Sequence, residues 1–475
     1  MKNHQIGIKF DPINIFLMLS PIKIWCFIVG FFIIPLSLKA QPGPNLAEEI
    51  GEYLNLAHNH PDQVPMIENR FLYQLRDSLG LTLLKSMVLK RIEENPDDNT
   101  YPDILAWNLL QLKDFQGAYI QEMALDKRNK ESGFRLLNLG RLAFRNKSYR
   151  VALNAFNYII GLEPRSRYYA QAKRERLNCL ENQILESAYK ESDFTDLYAY
   201  YQDYIKEFSG EEETRDVKLN LARIDIGYLG KTNEARDLLN QLVNQPGQNP
   251  EFQAHCKIEL AKVDILKGLV WEAALLYGQV YHDFKEESLG QEALFEGAKI
   301  YYYTGDFVLA KSQLDVLKTA TSELTSNDAI DLSLLIQKNL EDDSTGKALK
   351  VFAASELLIF QHQYKRAENI LDSLNLKYPK NALGDDILLS RYRIHFDQHL
   401  YDQASLDLEK ILALYPEGIW ADDALFKLAE LNENQFKQPK KAQELYEKLF
   451  LNYPGSFYVS EARKRYRILR GDPVN

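Results

Sequence analysis

The stretches AENILDSLNLKYP at 367–379, ASLDLEKILALYP at 404–416 and AQELYEKLFLNYP at 442–454 carry one pattern three times. Each opens on an alanine (Ala367, Ala404, Ala442), and a large apolar residue follows four positions on (Leu371, Leu408, Tyr446). Another follows seven on (Leu374, Ile411, Leu449), and a proline closes the stretch (Pro379, Pro416, Pro454). Spacings of four and seven place these side chains on one face of one helix, with the small residue where a second helix must approach closely. The proline ends that helix because it cannot continue one.

Upstream the same code recurs at Ala118, Ala152, Ala235, Ala273 and Ala310, with Leu197 at a degenerate copy. Steps of 34 residues (Ala118 to Ala152), 38 (Ala235 to Ala273) and 37 (Ala273 to Ala310) separate them. Twelve positions before the small residue stands another (Gly140, Ala261, Ala298, Ser355), which marks the contact on a partner helix. Five before it, Gly230, Gly268 and Gly305 turn the chain between the two helices. Almost nothing past residue 100 alternates with the period of a strand, so the expectation is an all-α chain built from helix-turn-helix units.

Small, small, aromatic and proline positions in this order resemble the tetratricopeptide repeat (TPR). That resemblance implies stacked units forming a right-handed superhelical solenoid. The segments LALYPEGIWADDALFKLAEL (412–431) and LFLNYPGSFYVSEARKRYR (449–467) resemble the tails of bacterial periplasmic TPR proteins that serve outer-membrane assembly and Tol-Pal coordination. The chain also resembles uncharacterised secreted or periplasmic TPR proteins of bacteroidete bacteria. Departures from the pattern occur at Glu122, which replaces the aromatic of the first copy, and in the 57-residue step from Ala310 to Ala367. That step contains an insert with one helix over about 327–340, read either as a hinge or as a helix packed on the array. The predicted organisation is a leader over 1–40, a helical cap over 41–99, a TPR array over 100–320, the insert over 321–348 and a second array over 349–475.

Ile24 to Leu38 form an apolar run bounded by Lys23 and Lys39 and followed by Ala40, which reads as a signal peptide cleaved near Ala40. The chain is then periplasmic or secreted, and the alternative is an inner-membrane anchor from an uncleaved leader. Met18 is a second candidate start. The net charge of -10 becomes about -13 without the leader, which argues against nucleic acid as a partner. Cys179 and Cys256 lie in helical patterns far apart and are expected to be buried free thiols.

No phosphate-binding loop, dinucleotide fingerprint, nucleophile elbow or zinc-protease motif is present, so no catalytic function, cofactor or metal is assigned. His395 and His399, four apart, read as capping or surface residues, and Glu341 to Asp343 as a solvated acidic turn.

In TPR proteins the first helix of each unit lines a concave groove, with the position after its small residue facing inward. Applied to this sequence, the resemblance selects Arg141, Lys262, Lys299 and Arg393, with Glu356 as the exception. Three residues further on stand Phe144, Tyr302 and Phe396, with Arg145 and Tyr303 beside two of them. A basic, aromatic stripe of this kind suits an extended peptide bearing acidic groups. The expected function is a protein-interaction scaffold of the bacterial cell envelope, docking other envelope proteins or extended peptides, with peripheral association at the outer membrane as an option. Binding of glycan or peptidoglycan through the tyrosine clusters is the alternative.

Overall fold

The computed structural model describes residues 46–472 apart from 76, 163–165, 187–189, 209, 319–322 and 379–381. The leader and its cleavage position, Pro164 and Pro379 lie outside the described residues. Among the described residues there are 23 α-helices and no strand, and no helix is long and apolar enough to cross a membrane.

The chain divides into two compact units, with the boundary at Leu229/Gly230. The first holds α1 (Leu46–Asn59), α2 (Val64–Gln74), α3 (Ser78–Glu94), α4 (Thr100–Gln111), α5 (Phe115–Asn129), α6 (Phe134–Arg145), α7 (Tyr149–Gly161), α8 (Tyr169–Leu185), α9 (Glu191–Glu207) and α10 (Glu211–Gly227). The second holds α11 (Thr232–Asn244), α12 (Pro250–Leu266), α13 (Val270–Asp283), α14 (Ser288–Thr304), α15 (Phe307–Leu317), α16 (Glu323–Asp342) and α17 (Lys347–Phe360). It continues through α18 (Tyr364–Lys377), α19 (Gly384–Asp397), α20 (Tyr401–Leu414), α21 (Ala421–Asn434), α22 (Pro439–Asn452) and α23 (Val459–Arg470). Within each unit most sequential helices pack on one another, in a stack of helix-turn-helix pairs.

The repeat code is realised as packing. All eight small alanines, from Ala118 to Ala442, are fully buried. Gly140 on α6 shows why the partner position is small, since a Cβ there would sit 2.5 Å from Phe156 Cε1 on α7. Phe156 and Tyr446, at the large position, are likewise fully buried, and each such side chain contributes about 1.5–3 kcal/mol of hydrophobic stabilisation.

The turn five residues before each small residue is left-handed in every regular copy. Glycine takes it at Gly230, Gly268 and Gly305, with φ of 61°, 78° and 82°. Lys113, Lys147, His362, His399 and Lys437 take it elsewhere, with φ between 53° and 60°. The conformation is therefore set by the packing of the two helices, and five copies hold it at the steric cost of a Cβ. In two copies the next residue caps the second helix: Asp114 accepts from Gly117 N at 2.8 Å and Asp306 from Leu309 N at 3.2 Å.

The inserted helix α16 buries Ala329, Leu332, Leu335 and Ile336 in one core with Leu314, Leu349, Phe352 and Ile387. Helices α14 and α17, which lie on either side of α15 and the inserted helix in sequence, also pack directly on each other. The core is thus continuous across the insert. Cys179 and Cys256 are buried thiols in no disulfide, and burial pushes the Cys179 thiol up to about 12, with the charge of Glu175 adding to it.

Candidate functional site

The first-helix positions selected from the sequence do not form a positive stripe, because each selected cation described with a charged partner holds a carboxylate of its own. In the first unit, Arg141 on α6 donates from Nε and Nη2 to Glu175 Oε1 on α8 at 2.9 and 2.8 Å. Phe144 is half-buried against the core, its ring 6.0 Å from that of Tyr149. Arg145 is exposed at the end of α6.

In the second unit, Lys262 lies 3.3 Å from Glu259, one turn back on α12. Lys299 donates to both oxygens of Glu296 at 3.0 and 2.8 Å, and its ammonium sits 5.6 Å from the ring centre of Phe295 and 5.9 Å from that of Phe360. Arg393 on α19 donates to Glu356 Oε1 on α17 at 3.1 Å, and only 13% of its side chain is exposed. Within each unit the expected basic surface is thereby replaced by local ion pairs. Spacing of i and i+3 on one helix, or facing positions on neighbouring first helices, brings opposite charges together.

The aromatic expectations divide. Tyr302 is fully buried, and its hydroxyl donates to Glu356 Oε2 at 2.6 Å. Tyr303 is also buried, with its ring 5.7 Å from that of Tyr302. Burial first, then the charge of Glu356, raises both phenols well above their ordinary range. Neither ring offers a face to a peptide or to a sugar, because the large aromatic serves the core of α14, α15 and α17. Phe396 is half-buried between Tyr392 and Tyr401, at 5.7 and 5.8 Å.

Glu356, the exception in the sequence pattern, is the centre of this region, accepting from Tyr302 with one oxygen and from Arg393 with the other. Beside it Trp420 Nε1 donates to Asp386 Oδ1 at 2.6 Å. Lys338 of the inserted helix lies 3.8 Å from Asp385. A cavity of about 20 Å³, room for one water-sized molecule, is lined here by Asp328, Glu356, Asp386, Arg393 and Trp420 among others. Burial, then the neighbouring Asp385, raises the Asp386 carboxyl above its usual range. The same link recurs one repeat later, where Tyr458 donates to Asp423 Oδ1 at 2.7 Å. Sequence reasoning missed this inter-repeat link, although its signal stands in the aromatic just before a first helix (Trp420, Tyr458) and the acid of the preceding first helix, 34 and 35 residues back.

A second polar cluster, also missed, lies in the first unit. Arg135 contacts Asp103 at 2.7 Å, Glu122 at 3.3 Å and Glu131 at 2.7 Å. Glu122 departs from the repeat pattern because it serves this arginine. Glu68 stands nearby, its carboxyl pushed up to about 7 by burial, then by the charges of Asp103 and Glu122.

His395 Nδ1 lies 2.6 Å from Asp407 Oδ2, and His399 Nδ1 lies 2.8 Å from the Tyr401 hydroxyl. The two rings thus serve different partners. Among the described residues no group of three or more His, Cys, Asp or Glu side chains is arranged to hold a metal ion.

Residues 423–456, which run from the start of α21 through α22, match the tetratricopeptide repeat family. No curated protein matches the chain. Among solved structures, a tetratricopeptide repeat protein from Parabacteroides merdae is similar at 12% identity and a TM-score of 0.35, over 59% of this chain and 92% of that one. The P58(IPK) TPR domain is similar at 16% identity and a TM-score of 0.21, over 78% and 97%. The described residues are thus all-α, and the segment 423–456 within them matches the tetratricopeptide repeat.

Proposed function

We propose that this chain is a non-catalytic scaffold of the bacterial cell envelope that docks partner proteins along the first helices of its repeats. The observation that carries the reading is the set of partly buried ion pairs on the first helices within each unit, Arg141–Glu175 in the first and Lys262–Glu259 and Lys299–Glu296 in the second. A surface that alternates in charge over short distances matches an extended peptide carrying both acidic and basic side chains better than a purely acidic one. Peptides held this way exchange readily, since rim ion pairs add specificity and association rate more than affinity. Export follows from the leader, with cleavage near Ala40 releasing the repeats to the periplasm, and mass measurement of the purified protein checks that step.

The test is in-cell crosslinking of the tagged protein, with the captured species identified for wild type and for a triple charge reversal at Arg141, Lys262 and Lys299. Arg393 is left intact because it partners buried Glu356. Envelope proteins lost from the reversed protein support the reading. An unchanged set of captured proteins refutes docking on this surface.

A further inference from the structure

The second helix α13 carries an exposed apolar face that nothing in the repeat code calls for. Trp271 is 57% exposed and Leu275 65% exposed, whereas most large apolar residues of α13 face the core. They line an open cleft of about 700 Å³ together with Ala274, Gly278, Lys257 and Tyr301 among others. Gly278 lies within the helix, and a Cβ built on it would have no atom within 4 Å. Glycine inside a helix weakens it, and no neighbour within the chain uses the space that Gly278 leaves.

The cleft-lining positions of α13 pair off about a point midway between Leu275 and Gly278. Reversing the helix direction about that point places Leu275 opposite Gly278, Ala274 opposite Gln279 and Trp271 opposite His282. Leucine then meets glycine and alanine meets glutamine in antiparallel register at the centre, which is how two helices interlock, with a ring from each helix at either end. The ends match as well. The aromatic pair Trp271 and Tyr301, rings 6.2 Å apart, marks one end of the cleft. Lys257 on antiparallel α12 marks the other, near Gln279 and His282. In the reversed pairing each lysine comes to the aromatic end of the other helix, where a cation is favoured over a ring face.

We infer that this face binds a second copy of the same chain, α13 against α13 about a two-fold axis, with Leu275 of each copy entering the space beside Gly278 of the other. A two-fold contact requires a patch complementary to itself, and this patch is. The rings of Trp271 and Tyr301 stand at 53° to each other, which makes a notch for a side chain rather than a flat platform for a sugar.

Sedimentation of the purified chain over a range of concentrations up to about 1 mM tests the inference. Wild type is expected to pass from monomer to dimer. Gly278→Leu, which fills the open space, and Leu275→Glu, which places a charge in the contact, are each expected to weaken the dimer at least about tenfold. Leu376→Glu, at a residue 85% exposed elsewhere in the unit, is expected to leave it unchanged. Cooperative thermal unfolding at low concentration, at a midpoint no lower than that of wild type, verifies that the variants fold. Wild type that stays monomeric throughout, or a dimer equally stable in both α13 variants, would overturn the inference and leave the face to another occupant.

Discussion

Truncating Glu356 is the sharpest perturbation of the candidate surface, because it separates a structural ion pair from a free ligand-binding cation. Glu356→Ala leaves the Arg393 guanidinium, 13% exposed, without its carboxylate. Breaking a buried pair in this way costs about 3–5 kcal/mol. It also strands the fully buried Tyr302 hydroxyl, and an unsatisfied buried donor costs about 1–3 kcal/mol. The two penalties share one cavity and relax together, so the expected loss is about 4 kcal/mol, or roughly a 10 °C fall in the melting temperature of a unit this size. Arg393→Ala is expected to cost about 3 kcal/mol, and the double variant much less than the two together, with a coupling above about 2 kcal/mol. Urea unfolding followed by circular dichroism measures the midpoints, and hydrogen exchange over α17 and α19 locates the loss. A cost below about 0.5 kcal/mol for Arg393→Ala, or additive single costs, would refute the structural account and return Arg393 to the groove. Arg141→Ala provides the contrast: its side chain is 35% exposed, and the cost should stay within about 1 kcal/mol.

Three further outcomes follow from the geometry. Trp420→Phe removes the Nε1 donor to buried Asp386, and Tyr458→Phe the hydroxyl donor to Asp423; each should lower stability by about 1–3 kcal/mol, read as a shift in urea midpoint. Glu68 has a folded-state pKa of about 7 against an ordinary value of 4.5, so the folded state holds the proton longer and stability falls as pH rises from about 4.5 to about 7. Glu68→Gln should therefore raise the melting temperature at pH 8, by about 1 kcal/mol of stability after solvent screening, and leave it unchanged at pH 4. Alanine in place of glycine should act with opposite signs at two sites: Gly305→Ala, at φ 82°, should cost about 1 kcal/mol, whereas Gly278→Ala, in open space within a helix, should gain about 1 kcal/mol.

The regular spacing of Ala118 through Ala442 determined the helix pairs, their order and the close contacts by itself. Packing of one helix on the next is a local matter, written in side-chain size at intervals of four, seven and twelve. The same spacing marked the turn residue, and the structure shows why lysine and histidine occur there as well as glycine: the two packed helices impose the left-handed backbone whatever the side chain. The state of the first-helix surface was decided only by tertiary structure. Arg393 finds Glu356 37 residues away and Trp420 finds Asp386 34 residues away, so whether a cation is free or neutralised depends on which side chain the neighbouring repeat brings alongside. Burial acts in the same way on Tyr302 and Tyr303, whose place in the repeat suggests exposure until the inserted helix and α17 close over them. Charge and aromaticity are properties of single residues and can be read from a sequence; pairing and exposure depend on the neighbours that folding supplies.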